Sequence, residues 1–328
     1  FMPISDIFPD AGITFWDVAH ETNGGLIADG YTRSTGKMSM VIAQNGPGIT
    51  GLVTPIKTAY WNHTPLLLVT PQAANKTMGQ GGFQEVEQMN LFKDMVCYQE
   101  EVRDPSRMAE VLNRVIEKAI RGSAPAQINV PRDYWTQVID IELPPIVRLE
   151  RQGGGAEAID KAAKLLSNAK FPVILSGAGV VIGGAIEETK KLAEKLDSPV
   201  CSGYQHNDSF PGSHPLAVGP LGYNGSKAAM ELISKADVVL ALGTRLNPFS
   251  TLPGYGIDYW PKKASIIQVD INPDRIGLTK KVTVGISGDA KLVAQQIFDK
   301  LSSNAGDIDR QKRKDLIHQT KSAWLQKL

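Results

Sequence analysis

Two short stretches of the chain place reactive residue types where an apolar run gives way to a helical pattern. Glu21 follows His20 at the first junction, and Gly46-Pro47-Gly48 stands at the second, 25 residues further on. A carboxyl group can give or take a proton during a reaction, and glycines let a ligand approach the backbone closely. We therefore expect Glu21 and the Gly-Pro-Gly turn to form part of a binding or catalytic site.

The surrounding pattern predicts how these two stretches are held together. Apolar runs at residues 15–18, 38–43 and 66–70 alternate with two helix-length segments, which predicts β-α-β-α-β in a parallel sheet. Because such sheets carry their reactive loops at the carboxyl ends of the strands, Glu21 and the turn should share one sheet edge. Taken alone, Glu21 would be interpreted as a helix-start carboxylate stabilised by the helix dipole. The neighbouring turn favours the functional interpretation.

A glycine-rich segment follows the third apolar run and is predicted to form a loop over the strand ends. Residues 71–90 contain Gly79, Gly81 and Gly82, which are unfavourable inside a helix. Loops of this length in compact domains are usually functional. The sequence GQGGFQE at residues 79–85 therefore supplies further candidate site residues.

The remainder of the chain continues the alternation of helices and strands. Asp104 is expected to cap an amphipathic helix, and a strand should follow at residues 126–130. In the second half, helices are predicted at 156–168, 184–196, 226–235 and 289–301, and strands at 172–176, 199–202, 238–243, 265–270 and 282–286. The fold class is thus α/β, with two doubly wound, mainly parallel-sheet domains. Proline and glycine clusters place their limits at 1–146 and 156–303.

Composition and charge exclude several classes of protein. The 328 residues include 35 Lys and Arg against 34 Asp and Glu, so no net field attracts nucleic acid or an anionic membrane. No apolar run approaches the length of a membrane span, and no signal peptide opens the chain. Cys97 and Cys201 are the two cysteines and lie far apart in the sequence. Two scattered thiols are more typical of a protein of the reducing cytoplasm than of a disulfide-bonded protein. Both ends look cut, which suggests an internal portion of a longer protein.

Several ordered motifs resemble the pyrimidine-binding domain of thiamine diphosphate enzymes, in the acetolactate synthase and pyruvate oxidase branch. The resemblance implies that Glu21 hydrogen-bonds the aminopyrimidine ring of the cofactor and promotes its imino form. The motifs are His20-Glu21, ADGYTR at residues 28–33, TGK at 35–37, Asn45-Gly46-Pro47-Gly48 and PLLLVT at 65–70.

The same resemblance implies roles for other residues of the first domain. Asn45, Gly46, Pro47 and Gly48 are expected to lie against the cofactor ring. Phe83 and Gln84, with Gln80 and His63, are candidates for the substrate side of the site. His63 is equally well explained as a C-terminal cap of the preceding helix.

The second domain resembles the central domain of these enzymes, in which some members hold FAD and many hold nothing. In the glycine-rich segment at residues 177–184, the third glycine falls one residue too late for a dinucleotide fingerprint. We interpret this domain as structural, with cofactor binding as the minority option.

The family's metal motif has no counterpart in this sequence. The resemblance implies that Mg²⁺ and the diphosphate are held by a Gly-Asp-Gly segment followed by an Asn, in a C-terminal domain that this chain lacks. The nearest match, Gly288-Asp289-Ala290, has no suitable Asn downstream, so no metal ligand is predicted here. Residues 304–328 are expected to begin the connection to that domain. Because the family's cofactor lies between two subunits, a homodimer or homotetramer is expected.

Four longer runs are more specific than the branch signature and resemble one acyltransferase of the family. They lie at residues 59–88, 124–144, 203–233 and 243–261. Its small anionic substrates require cationic or amide-rich contacts, for which Lys76, His63, Arg132, His206 and Arg245 are candidates. Two alternatives stay open: an acetolactate synthase or related 2-oxoacid decarboxylase, and a non-catalytic regulatory remnant of such an enzyme.

Overall fold

A computed structural model of the chain describes residues 7–145 and 150–328. The chain divides between residues 148 and 149 into two compact units, here called unit 1 and unit 2. In each unit the described strands form a parallel sheet with buried apolar residues packed against it. The predicted α/β class with two parallel-sheet domains is therefore confirmed.

Unit 1 is a four-stranded sheet between two layers of helices. Its strands are β1 (Ser39–Ile42), β2 (Leu66–Gln72), β3 (Tyr98–Glu101) and β4 (Ala126–Pro131), in the spatial order β1-β2-β4-β3. Its helices are α1 (Glu21–Thr35), α2 (Pro47–Thr50), α3 (Val53–Trp61), α4 (Gln88–Phe92) and α5 (Met108–Gly122). Helices α1 to α4 bury apolar side chains on one face of the sheet, and α5 covers the other. Asp104 caps the turn that leads into α5, as predicted.

The strand predicted at residues 15–18 does not form. These residues have no strand partner among the described residues, and Trp16 is 78% exposed. An apolar run without a neighbouring strand gains no ladder of backbone hydrogen bonds, so its pattern alone does not make it a strand.

The sequence between the Gly-Pro-Gly turn and His63 predicts one helix at residues 49–61, but the structure divides it into α2 and α3 around Gly51. Pro55, four residues further on, has no N–H to donate to the Gly51 carbonyl. The hydroxyl of Thr22 donates to that carbonyl instead, at 2.6 Å. The hydrogen bond that Thr22 makes at this break therefore joins the start of α1 to the segment between α2 and α3.

Unit 2 is a six-stranded parallel sheet with helices on both faces. Its strands are β5 (Pro172–Ser176), β6 (Val200–Ser202), β7 (Ala217–Pro220), β8 (Val238–Leu242), β9 (Ser265–Asp270) and β10 (Val284–Ser287). Its helices are α6 (Ala156–Ser167), α7 (Ala178–Ile182), α8 (Ile186–Leu196), α9 (Lys227–Ile233), α10 (Ala290–Lys300) and α11 (Arg310–Leu325). The spatial order is β10-β9-β8-β5-β6-β7, so the switch point of this doubly wound sheet lies between β5 and β8.

The side chain of Arg313 fixes α11 to the rest of unit 2. It is 1% exposed, and its five N–H donors all bond to backbone carbonyls at 2.5 to 3.0 Å. The carbonyls belong to Lys170, Leu196, Asp197, Gly306 and Ile308. Helix α11, in the segment predicted to be a connection, thus packs as part of unit 2.

We expect the substitution Arg313→Met to lower the free energy of unfolding of unit 2 by about 3 kcal/mol. The methionine would remove the guanidinium donors of all five carbonyls, three of which belong to buried residues, and each unsatisfied buried group costs on the order of 1 kcal/mol or more. Urea denaturation of the chain measures the change. Lys312→Met, at an exposed position on the same helix, should alter stability by less than about 0.5 kcal/mol. Equal effects of the two substitutions would contradict the anchoring role.

Candidate active site

Glu21 is the first residue of α1, at the carboxyl-end edge of the unit 1 sheet. The ring of His20 caps the helix, because its Nδ1 accepts a hydrogen bond from the Thr22 N–H at 3.1 Å. The Glu21 side chain is half-buried. Within the described residues its carboxylate has no hydrogen-bond or ion-pair partner, so both oxygens are available to a ligand.

The Gly-Pro-Gly turn lies beside this carboxylate. Gly46 has a φ of +76°, and Pro47 occupies the first position of α2. A Cβ placed on Gly48 would lie 3.3 Å from Oε1 of Glu21, and one on Gly51 would lie 3.4 Å from Oε2. Because Gly48 and Gly51 have no side chains, the backbone beside the carboxylate is uncovered. A flat ring could therefore lie against this backbone and reach the carboxylate.

The loop after β2 folds on itself around a second carboxylate. Glu85 accepts hydrogen bonds from the N–H groups of Gly79, at 2.6 Å, and Gly82, at 3.1 Å. These bonds close the segment at residues 79–85 into a compact turn. Phe83, at its tip, is 86% exposed.

This loop docks on the Gly-Pro-Gly turn through Gln84. The amide of Asn45 donates to the Gln84 carbonyl at 3.0 Å, and the amide of Gln44 donates to Oε1 of Gln84 at 2.7 Å. A Cβ on Gly46 would lie 2.8 Å from the Gln84 Cβ, so the two backbones touch. The structure therefore brings Asn45, Gly46 and Gln84 together, next to the Glu21–Gly48 contact.

His63 lies away from these residues. It follows the C-terminal end of α3, where Asn62 donates to Asp29 in the third turn of α1. Asp29 is eight residues after Glu21, which places this level roughly 12 Å down the helix axis. The structure therefore does not bring His63 to the Glu21 end of unit 1. Gln80 is exposed in the loop, and its role stays a prediction.

The sequence motifs missed three residues that shape the site. Thr22 and Gly51 join α1 to the turn, and Gln44 holds the side chain of Gln84. Proline at position 55 was an available signal for the break at Gly51. No periodicity relates Gln44 to a partner 40 residues away, so the chain offered no signal for that pair.

We expect Gly46→Ala to release the loop at residues 79–85. The new Cβ would meet both the Cβ and the carbonyl oxygen of Gln84, at 2.8 and 2.9 Å, and the positive φ adds strain. Hydrogen exchange of the loop amides should accelerate at least tenfold. Gly36→Ala is the matched control, since Gly36 has a φ of +70° but no neighbour within 4 Å. Unchanged exchange in Gly46→Ala would contradict the docking.

In unit 2, the glycine-containing turns after β5 and β8 contact each other through their backbones at the switch point. The N–H of Gly179 donates to the Gly243 carbonyl at 2.8 Å. A Cβ on Gly177 would lie 2.6 Å from the same oxygen. These glycines thus allow the turns after β5 and β8 to pack against each other.

The described ranges hold no cluster of metal-binding side chains, and the pKa values of both thiols are raised. No group of three or more His, Cys, Asp or Glu side chains there could hold a metal ion. Asp289 caps α10 through Lys291 and Leu292, and its second oxygen pairs with Arg151 at 3.2 Å. Burial raises the pKa of both the Cys97 and Cys201 thiols, which disfavours the nucleophilic thiolate.

None of the helices that the structure describes is long and apolar enough to cross a membrane.

Comparison with protein families identifies the class to which these two units belong. Residues 1–91 match the thiamine pyrophosphate enzyme N-terminal TPP binding domain, and residues 159–297 match the thiamine pyrophosphate enzyme central domain. The chain therefore belongs to the thiamine pyrophosphate enzymes. The resemblance inferred from the motifs is confirmed.

Individual members of the family differ in how similar they are to this chain. The chain is 79% identical over 327 residues to the sulfoacetaldehyde acetyltransferase of Roseovarius nubinhibens, covering 100% of this chain and 54% of that protein. It is 35% identical over 305 residues to the probable acetolactate synthase large subunit of Methanocaldococcus jannaschii, covering 90% of this chain and 51% of that protein. The chain spans about half the length of the curated relatives it matches.

A solved structure supports the fold. Benzoylformate decarboxylase from Polynucleobacter necessarius superposes with a TM-score of 0.78 at 23% identity, covering 89% of this chain and 54% of that one. At this identity the likeness concerns the fold alone.

Proposed function

We propose that the chain forms part of a thiamine diphosphate-dependent sulfoacetaldehyde acetyltransferase. This enzyme would convert sulfoacetaldehyde and phosphate into acetyl phosphate and sulfite, a reaction of sulfonate and taurine degradation. The observation that carries the proposal is the 79% identity to the Roseovarius enzyme over the whole chain. The match covers 100% of the chain, so it is not confined to the residues around Glu21.

The residues around Glu21 fit the aminopyrimidine end of thiamine diphosphate. The carboxylate is uncommitted, and Gly48 and Gly51 expose backbone beside it. When bound, the cofactor would supply a carbanion that attacks the aldehyde carbon of the substrate. Glu21 would hold and move the proton at the aminopyrimidine ring, and Gly46-Pro47-Gly48 would position that ring. The docked Gln84 would offer its amide to the substrate.

The assay that tests this function separates it from the nearest alternative. The enzyme expressed from its complete gene is expected to release sulfite from sulfoacetaldehyde in the presence of phosphate and thiamine diphosphate. An acetolactate synthase or 2-oxoacid decarboxylase would release CO₂ from pyruvate instead. Release of CO₂ without sulfite would replace the proposal, and the absence of both products would favour the regulatory remnant.

We also expect the purified complete enzyme to contain no flavin. The glycine spacing at residues 177–184 departs from the dinucleotide fingerprint, and the turns after β5 and β8 contact each other. Absorption spectra and the supernatant after denaturation should lack the flavin bands. One FAD per chain would contradict this and favour the acetolactate synthase alternative.

The remaining features of the proposed enzyme follow from its family. We propose a homodimer or homotetramer in the cytoplasm that uses Mg²⁺ to bind the diphosphate. Within residues 7–145 and 150–328, no three His, Cys, Asp or Glu side chains lie close enough together to hold a metal ion. The family resemblance assigns the proposed Mg²⁺ ligands to a C-terminal diphosphate-binding domain.

A further inference from the structure

The face of the unit 1 sheet that α4 covers carries a buried layer of polar side chains. Its fully buried members, each 0% exposed, are Thr70, Gln88, Gln127 and Asn129. Glu101, at the end of β3, accepts a hydrogen bond from this layer. A buried amide is costly unless its donors and its acceptor are paired, so each polar atom of the layer requires a partner.

The orientation of the Gln127 amide is fixed by a series of hydrogen bonds that begins at a carboxylate. An ionised carboxylate only accepts, so the Asn129 atom that lies 2.7 Å from Oε2 of Glu101 is its Nδ2. The Oδ1 of Asn129 therefore faces Thr70 and accepts from its hydroxyl at 2.7 Å. Since this bond uses the only hydroxyl hydrogen, the Thr70 oxygen accepts from Nε2 of Gln127 at 2.9 Å. The Oε1 of Gln127 is thus turned away from Thr70.

An independent contact fixes the Gln88 amide. Its Nε2 donates to the backbone carbonyl of Pro71 at 2.7 Å, and a carbonyl can only accept. The Oε1 atoms of Gln88 and Gln127 are both buried, and neither has a hydrogen-bond partner among the described residues. The layer therefore contains two acceptors of fixed orientation that lack a donor.

The two amides belong to one cluster of side chains. The Nε2 of Gln88 lies 3.5 Å from Oδ1 of Asn129, and the Nε2 of Gln127 lies 3.5 Å from the backbone carbonyl of Gln88. Gln99 of β3 stands opposite Gln127 in the strand register. Its Oε1 is also buried without a partner, but no hydrogen bond within the described part of the chain holds its amide. Gln99 is therefore free to turn, whereas the other two amides are not.

We propose that Gln88 and Gln127 bind one buried water molecule, which donates a hydrogen bond to each Oε1. A water has two hydrogens, and buried waters typically make about three bonds to groups that are otherwise unpaired. The amide of Gln99 can turn to donate the third bond to the water oxygen. A cation fits less well, because Ca²⁺ or Mg²⁺ takes about six oxygen ligands or more and the layer offers three unpaired amide oxygens.

This water would connect the start of α4 to the middle of the sheet. Gln88 is the first residue of α4 and comes shortly after the loop at residues 79–85, whereas Gln127 belongs to β4. The bridge thus ties the segment that follows the loop to a strand of the core. It depends on buried contacts of unit 1 and not on the proposed reaction.

A high-resolution crystal structure of the complete enzyme tests the site. One water should lie within about 3.2 Å of both Oε1 atoms. A separate water at each oxygen, no density between them, or an ion with about six oxygen ligands would overturn the proposal. A Gln99 amide that donates directly to Oε1 of Gln127 would also overturn it.

Two variants of the complete enzyme show which side chains hold the water. Gln127→Met removes one of the two fixed acceptors and keeps a similar shape, so the water should be lost from the crystal structure. Gln99→Met is the matched control, because it makes the same replacement on the adjacent strand and leaves both fixed acceptors in place. Retention of the water in Gln127→Met, or its loss in Gln99→Met, would contradict the assignment.

Magnetic relaxation dispersion of the solvent counts long-lived internal waters in solution. The count per chain should fall by one in Gln127→Met and stay unchanged in Gln99→Met. Gln88→Met, which removes the other acceptor, should give the same loss and replaces Gln127→Met if that variant does not fold. Equal counts in the wild type and the acceptor variants would overturn the site. Because neither measurement uses turnover, absence of sulfite release would leave this result unaffected.

Discussion

Replacing Glu21 by glutamine is expected to lower the turnover of the complete enzyme by about 10²–10⁴-fold, the usual contribution of a positioned acid–base group. Glutamine keeps the shape of the side chain but cannot exchange a proton at neutral pH. The Glu21 carboxylate has no partner among the described residues, so no ion pair is lost. The fold should therefore persist, and steady-state sulfite release measures the effect.

A matched control excludes the simpler role of Glu21 as a helix-start carboxylate. Glu157 lies in the first turn of α6, so it too is a helix-start carboxylate near the positive end of the dipole, and it forms an exposed ion pair with Lys161 at 2.7 Å. Glu157→Gln should leave turnover within twofold of the wild type. Each substitution should change the free energy of unfolding by less than about 1 kcal/mol. If Glu21→Gln retains activity within a few-fold while the cofactor is bound, the assignment is wrong.

The elements that sequence predicts well are those whose signal is local. Strand β5 occurs at the predicted residues. A short apolar run bounded by proline and glycine is too short for a buried helix, so a buried strand is the expected structure. Helix α5 has the predicted amphipathic stripe, and Asp104 caps the turn at 105–107 that leads into it. Glu21 meets Gly48 as expected, but the strand predicted before Glu21 does not form. Glu21 lies at the same sheet edge as Gly48 because α1 leads back to the start of β1, which leaves the first residue of α1 at the carboxyl ends of the strands.

The elements that were missed depend on partners distant in sequence. Strand β3 has the polar sequence YQEE, and its Glu100 pairs with Arg114 of α5 at 2.8 Å. The run at residues 15–18 has the apolar pattern of a strand but gains no neighbour to pair with. The Gln44–Gln84 contact likewise exists only once the loop is folded onto the turn. In each case tertiary context, not propensity, decides the outcome.

The largest difference that we expect between the complete enzyme and residues 1–328 is in cofactor affinity. The Glu21 site contacts an aromatic ring, for which the chain offers one carboxylate and exposed backbone. The family resemblance assigns the diphosphate and Mg²⁺ to another domain, where charge-assisted bonds are strong. Losing two or three such bonds, each worth about 1.5–3 kcal/mol, weakens binding by at least roughly 10²-fold.

Calorimetric titration of the 328-residue chain with thiamine diphosphate, with and without Mg²⁺, measures this difference. We expect feeble binding that Mg²⁺ does not strengthen, because the family resemblance assigns the metal and diphosphate ligands to another domain. Asp289, in the nearest match to the metal motif, is committed to capping α10 and to Arg151. Denaturation without ligand should still show two α/β cores that unfold cooperatively, which excludes misfolding as the cause. Micromolar binding that requires the metal would show that unit 1 or unit 2 contains a diphosphate site of its own.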